Sequence, residues 1–421
     1  MTSYSIYKLL GPLLIPLALI RLLLKTSRES NYLKHISERF GFCGTISDSP
    51  LDVWIHAVSV GEIHAAQPII EAILKKSPRS SLALTCSTPA GRRTAQSLFA
   101  SNVHILYVPF DIKSFVNRFI KKIQPKVLIV IETEIWPTMF NACKVNNIDI
   151  WILNGRMSKK SFHRYLKFRN LTKQTLQKVT AVLAQTQEDA DRFITLGAKE
   201  VCVTGNLKYD RSPPPIASDF RSDFRAQIGN EKKIFLAAST RDGEEEILLR
   251  HLLPRIDSSK VLLVIVPRHP HRFGVVEKLI SQLKIAYAKR SQLQTLNIDS
   301  RVMLGDSMGE LYSYYRAADV VFVGGSLLDY GGQNPIEAFA VGKRVIVGPY
   351  TFNFSSVISE ALGAGIAIQA ENLEDFVNVS LSEINKSKIG EVDDSAIALV
   401  RKHQGATETS LSILRDKGVR C

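Results

Sequence analysis

Cysteine is scarce and scattered in this chain of 421 residues. Its five cysteines, Cys43, Cys86, Cys143, Cys202 and Cys421, form no CxxC pair, and their number is odd. That argues against a disulfide framework and against a cysteine-built zinc site, and a reducing cytosol fits best. Acids are outnumbered, 40 Asp and Glu against 54 Lys and Arg, for a formal charge of +14. The imbalance favours anionic partners: nucleic acid, acidic lipid headgroups or phosphorylated substrates. A generally basic soluble surface carries the same charge. Signature motifs are also missing. There is no GxxxxGK[ST], so this is no P-loop NTPase, and no GxGxxG follows a strand-like run. GxSxG and HExxH are absent. No clear internal repeat and no long low-complexity tract interrupts the chain.

What remains is an ordinary globular composition, 45% hydrophobic and 22% charged, long enough for two or three domains. The N-terminus differs from the rest. Tyr7–Lys25, "YKLLGPLLIPLALIRLLLK", is nearly all apolar but broken by Gly11, Pro12, Pro16 and Arg21. A bilayer span needs about 20 apolar residues, so the stretch is short for one. With Lys8, Lys25 and Arg28 around it, residues 1–28 read as a membrane anchor, spanning or lying in the interface, with the body on the cytoplasmic side.

After it, apolar strand-like runs alternate with helix-like ones. "DVWIHAVSV", "SLALTCST", "HILYVPF", "KVLIVIETEIW", "IDIWILN" and "TAVLAQT" are strands; "EIHAAQPIIEAILKKS" puts Ile63, Ala66, Ile70, Ile73 and Leu74 on one helical face. The rhythm predicts a parallel sheet covered by helices. Pro213–Pro215 break it and mark a linker. It restarts with "KIFLAAST", "KVLLVIVPRHP", "DVVFVGGS" and "RVIVGPY". The expected fold class is α/β: two doubly wound, Rossmann-like domains, residues 29–211 and 212–421, facing a cleft. Ligands of such sheets collect beyond the carboxyl ends of the strands.

The residues standing there are the candidates. Gly61 and Glu62 follow the first strand. Glu62 in a first helical turn gains from the helix dipole, which is an ordinary structural placement, and it is also placed to act as a general base. The dipole should keep it ionised, with some desolvation needed to restore basicity. Glu132 and Glu134 follow another strand, on one side of it if the strand persists. The basic run Asn154–Gln174 reads as a solvated helix face that could also meet phosphates or an anionic bilayer, with too few aromatics for nucleic-acid stacking. Lys208 stands at the linker. Arg268 and His269 follow "VP"; Arg268 suits a phosphate, and a metal reading of His269 and His271 lacks further ligands. "GDSMGELYSYY" predicts a helix opening at Met308–Glu310. Asn334 is a plausible cap with Pro335 at the first helical position, and Glu337 in the first turn could accept ribose hydroxyls.

Taken together, "RFGF" (Arg39–Phe42), "HAVSVGE", "ETEIWP", "TGNLKYD", "VPRHP", "GELYSYY", "FVGGSL" and "GGQNPIEA" resemble the 3-deoxy-D-manno-octulosonic acid (Kdo) transferases of lipopolysaccharide assembly over nearly the whole chain. Each block is weak; their order and combination are specific. The resemblance implies the two-domain GT-B fold and an inverting, metal-independent glycosyltransferase without cofactor. It implies CMP-Kdo as donor, a phosphorylated lipid A precursor (lipid IVA) as acceptor, and work at the bacterial inner membrane without nucleic acid. It assigns Glu62 as base and Glu132 and Lys208 as stabilisers of the transition state. To the CMP site it assigns Arg268, His269, Met308, Gly309, Glu310, Leu311, Asn334, Pro335, Ile336 and Glu337. The number and linkage of Kdo residues added stay open. So do three other readings: a GT-B enzyme using a UDP-sugar, a nucleotide-sugar epimerase, and a tethered binding protein.

Overall fold

The computed structural model describes residues 3–26, 32–44, 50–78, 81–99, 102–213, 232–296 and 299–419. The boundary expected near residue 28, most of the proline linker and Cys421 lie outside them. The chain forms two compact units, Met1–Arg211 with His403–Cys421, and Ser212–Lys402.

The first unit holds, among the described residues, a seven-stranded sheet: β1 (Val53–His56), β2 (Leu82–Cys86), β3 (Val103–Tyr107), β4 (Val127–Ile131), β5 (Asp149–Gly155), β6 (Ala181–Ala184) and β7 (Val201–Val203), in the order 3-2-1-4-5-6-7. Neighbouring strands pair in parallel; Val53 of β1 faces Leu82 on one side and Val127 on the other. β4 is VLIVI, buried at all five positions, the continuous apolar run of a strand covered on both faces. Alternation divides the core: Val53 and Ile55 join the cluster on one face, Trp54 that on the other. Each such buried side chain contributes about 1.5–3 kcal/mol relative to exposure. The helix Val60–Lys76 buries Ile63, Ala66, Ile70 and Ile73 as its periodicity predicts; Leu74 is only partly buried.

The second unit holds, among the described residues, β8 (Lys233–Thr240), β9 (Val261–Pro267), β10 (Tyr287–Lys289), β11 (Val302–Leu304), β12 (Val320–Val323), β13 (Val345–Val347) and β14 (Ala367–Gln369). Their order is 10-11-9-8-12-13-14, again with parallel pairing. The second unit ends at Lys402 rather than at the chain's end. The last helix, Ala406–Asp416, returns to the first unit. There Ala406, Leu411 and Leu414 join the cluster of Ile63 and Leu207, and Asp210 accepts the amides of Gly405 and Thr407.

At the N-terminus no single described helix is long and apolar enough to cross a membrane. Two helices, Ser3–Leu10 and Ile15–Thr26, flank a 3-10 turn at Gly11–Leu14, and the apolar pair Ser3–Leu13 and Ile15–Leu24 is bent by 51°. Proline within the turn accounts for the break. Leu9, Leu13, Leu17, Leu23 and Leu24 are exposed. Tyr7 holds the first helix to the body by donating to Asp111 at 2.9 Å. Asp111 also accepts the amides of Thr138 and Met139, which open the helix Pro137–Val145.

Candidate active site

In the first unit the strand order reverses at β1, whose neighbours are β2 and β4. Chains leaving β1 and β4 diverge there, and ligands of open α/β sheets bind at such a switch point. Glu62 follows β1 and Glu132 follows β4.

Ser59 caps the helix Val60–Lys76, accepting the Glu62 amide at 3.4 Å and donating to Glu62 Oε1 at 3.3 Å. The other carboxyl oxygen, Oε2, accepts the Val58 amide. This is a Ser-x-x-Glu capping box whose acid reaches one residue beyond the cap. The spacing was visible in the sequence, although reading Glu62 as a simple first-turn acid overlooks it. Burial raises the Glu62 carboxyl most, Glu132 and Glu134 raise it further, and the Val58 and Ser59 amides lower it. The result is a pKa pushed up to about 8. Desolvation therefore outweighs the helix terminus, and the expectation that the dipole keeps Glu62 ionised at neutral pH is corrected.

Glu132 departs from the strand. β4 ends at Ile131, and Glu132 takes a left-handed backbone with φ of 63°, so the same-side geometry expected for Glu132 and Glu134 lapses. A non-glycine residue there is strained by about 1–3 kcal/mol, a cost met most often at functional sites. Its amide donates to Leu153 O at 2.9 Å. Its carboxylate accepts Lys208 Nζ at 2.7 Å, each side chain 18% exposed. Burial pushes the Glu132 carboxyl up. The charge and hydrogen bond of Lys208, with Arg156 behind them, outweigh it and hold the group below its ordinary value. Composition had marked Arg156 only as part of a basic run.

Lys208 is itself held. It lies in a 3-10 turn, Leu207–Asp210, where Asn206 Oδ1 accepts its amide at 3.0 Å. Asn154 Oδ1 accepts the Leu207 amide at 3.0 Å. Asn154 has φ of 56° where the β5–β6 register shifts, and asparagine tolerates that conformation better than most residues. Glu134 is raised by burial, with Trp136 Nε1 donating to it at 2.7 Å. The Trp136 ring meets buried His56 edge-on.

One acid is thus ionised and paired, while another nearby holds its proton near neutrality. Carboxyls driven apart in this way mark acid–base assignments.

The second unit gathers different chemistry. Arg268 follows β9; its amide donates to Thr240 O and its Nε to Gln333 Oε1 at 3.1 Å. Burial lowers its guanidinium, which Glu337 favours in turn, so Arg268, Gln333 and Glu337 form one group. His269 is pushed down to about 4 by burial and by Arg268, Arg241, His271 and Arg272. It is neutral, and its Nε2 accepts from Arg241 Nη1 at 3.2 Å. Arg241, which lies over the Tyr330 ring, and Gln333 were not anticipated.

Met308–Glu310 do not open a helix. The helix runs Leu311–Ala317, with Glu310 before it and gripped by Arg290 at 2.7 and 3.1 Å. Nor does Asn334 cap with Pro335 inside the helix. The helix is Ile336–Phe339 and Pro335 precedes it, while Asn334 Oδ1 accepts the Ile336 amide at 3.1 Å. Glu244, in the first turn of the short helix Glu244–Ile247, is fully buried. It accepts the amides of Arg241, Gly325, Ser326 and Leu327 at 2.6–3.0 Å.

Comparison with known proteins follows the same lines. A family model described as 3-Deoxy-D-manno-octulosonic-acid transferase (kdotransferase) matches residues 34–211. The 3-deoxy-D-manno-octulosonic acid transferase of Haemophilus influenzae is 33% identical over 406 residues, 95% of this chain and 95% of that protein. The enzyme of the same name from Bordetella pertussis is 33% identical over 393 residues, 90% of each chain. Among solved structures, UDP-GlcNAc 2-epimerase from Neisseria meningitidis superposes with a TM-score of 0.59 at 16% identity, covering 86% of this chain and 99% of that one. The last likeness is one of fold: two parallel-sheet α/β units, as in GT-B glycosyltransferases.

Proposed function

Because the chain belongs to the 3-deoxy-D-manno-octulosonic acid transferase family, and is therefore a glycosyltransferase of lipopolysaccharide biosynthesis, we propose that it moves Kdo from CMP-Kdo to a hydroxyl of a phosphorylated lipid A precursor, lipid IVA, with inversion. The ionised form of Glu62, which grows as pH approaches its raised pKa of about 8, takes the hydroxyl proton as the acceptor oxygen bonds to the anomeric carbon. The bond from that carbon to the CMP phosphate breaks, and CMP leaves with the electron pair from the opposite face. Charge on an oxocarbenium-like carbon is met by the carboxylate of Glu132, which Lys208 keeps ionised. Arg268 meets the phosphate, with His269 as a neutral neighbour. Glu337 accepts ribose hydroxyls, and Met308–Leu311 and Asn334–Ile336 complete the CMP site. The Arg268 guanidinium stabilises the leaving group without a metal.

The observation that carries the reading is the pairing of Glu62, its carboxyl raised to about 8, with an already neutralised Glu132–Lys208 pair. The N-terminal helices lie in the interface of the inner membrane, on its cytoplasmic side, with their exposed leucines in the acyl region.

The experiment supplies the purified protein with lipid IVA and either CMP-Kdo, generated in situ, or UDP-sugars, and identifies products by mass spectrometry. The expected result is a lipid heavier by Kdo, and the mass also counts the residues added. Transfer from UDP donors alone, or turnover of UDP-GlcNAc with no acceptor present, would end the reading.

A further inference from the structure

The RFGF block has no part in the chemistry above, yet its arginine is buried. Arg39 is 4% exposed. It lies in a 3-10 turn, Ile36–Phe40, closed by Gly41 in a left-handed conformation (φ 81°). A Cβ on Gly41 would stand 2.2 Å from Phe115 O, so glycine is required and the turn is fixed. The main chain of Arg39 is tied as well, its carbonyl accepting the Phe110 amide at 2.9 Å.

Its charge has no carboxylate partner within ion-pair distance among the described residues. The adjacent acid, Glu38, is taken up by Arg92, whose Nη2 lies 3.1 Å from Oε1, and by the Tyr107 amide at 2.7 Å. Arg39 and Arg92 both lie over the Tyr107 ring, 4.3 and 4.8 Å from its centroid. Cys86 and Tyr32 are the other titratable groups facing Arg39. A buried cation in such surroundings costs stability unless it has another use.

Among the described residues the Arg39 side chain makes one directed hydrogen bond. Arg39 Nη2 donates to Ser87 O at 2.9 Å, just past the end of β2. The Ser87 amide donates to Val58 O at 3.1 Å, carrying the β1–β2 ladder beyond both strands. The Val58 amide donates to Glu62 Oε2. Three consecutive hydrogen bonds therefore run from the guanidinium to the candidate base. They pass through different peptide groups, so what they transmit is position.

We propose that Arg39 is a positioning residue for Glu62, holding the Ser87 and Val58 main chain so that the Val58 amide stays aimed at the carboxylate. The inference rests on the assignment of Glu62 as base. The Val58 bond lowers the Glu62 carboxyl against burial and against Glu132 and Glu134, the acids that face it. Loosening that bond raises the carboxyl further.

The test compares Arg39→Met with Arg39→Lys in the full-length protein. Methionine keeps much of the volume and removes an unpaired buried charge, so the fold is retained, which thermal melts verify. In Arg39→Met the acid limb of the kcat profile should move to higher pH by about one unit, with about tenfold lower kcat below the limb. CMP affinity should be unchanged. Arg39→Lys, which keeps a donor, should recover most of both effects. Glu62 is also titrated directly by carboxyl difference infrared spectroscopy against Glu62→Gln. An unmoved Glu62 titration in Arg39→Met, or a kcat loss without a shifted limb, overturns the proposal. A fully active Glu62→Gln instead removes the base assignment, and the infrared titration still reports whether Arg39 positions residue 62.

Discussion

Lys208 Nζ stands 2.7 Å from Glu132 Oε1, across 76 residues of sequence, and holds that carboxyl below its ordinary value while burial raises Glu62. Removing the cation alone strands a carboxylate. Lys208→Met should therefore destabilise the protein by about 2 kcal/mol in urea unfolding, below the range for a fully buried pair because both groups retain some solvent. Glu132→Gln/Lys208→Met should recover most of the loss. Additive losses in the double variant would show that the pair does not act as a unit.

Replacing Glu62 by Gln should lower kcat by about 10²–10⁴-fold, with CMP affinity by calorimetry unchanged. Retained transfer would take Glu62 out of the mechanism.

Glu132→Gln should move the acid limb of the rate profile down. Glu132 is one of the charges that raise Glu62, so neutralising it lets Glu62 ionise at lower pH, while the plateau rate falls. A limb that rises or stays would separate the two acids.

Stability should follow the same carboxyl. With its folded pKa near 8 and an ordinary value near 4.5 when unfolded, Glu62 makes the folded state bind more protons across that window. Stability is then lost as pH rises through it. Glu62→Gln should be the more stable protein at pH 8.5, by on the order of 2 kcal/mol, and the gap should close toward pH 5. Urea midpoints at the two pH values measure this; a gap that widens on acidification contradicts the assignment.

Arg268→Ala should weaken CMP binding by about 10–100-fold, the worth of hydrogen bonds to a charged group, and a chelator should leave transfer intact. Leu13→Asp/Leu17→Asp should weaken vesicle co-sedimentation by roughly 10²–10⁴-fold, since burying each leucine contributes roughly 1.5–3 kcal/mol. Unchanged sedimentation would place the membrane contact elsewhere.

The longer strands were legible because burial on both faces writes itself as an apolar run, as in VLIVI of β4. Of the three-residue strands, β13 was legible inside the apolar run RVIVGPY, whereas β7, β10, β11 and β14 were not, since three residues alone carry no period. Glu62, Glu132 and Lys208 could each be picked out at a turn, but their grouping depends on Asn154 and its left-handed bulge, which no local pattern announces. The amphipathic helix Ala406–Asp416 shows which face it buries and not against what, so its return to the first unit was missed. Likewise nothing near Glu244 in sequence points to the amides of Gly325–Leu327, more than eighty residues away.

That last contact bears on where the second unit could hold an anion. The glycine-rich loop after β12 resembles a receptor for phosphate, but its amides already face an anion supplied by the chain itself. Those three amides are already occupied from within the chain. Under the proposed function, grip on a phosphate then falls to side chains such as Arg268, and affinity becomes something single substitutions can retune. A cradle built of main-chain amides would have been deaf to them.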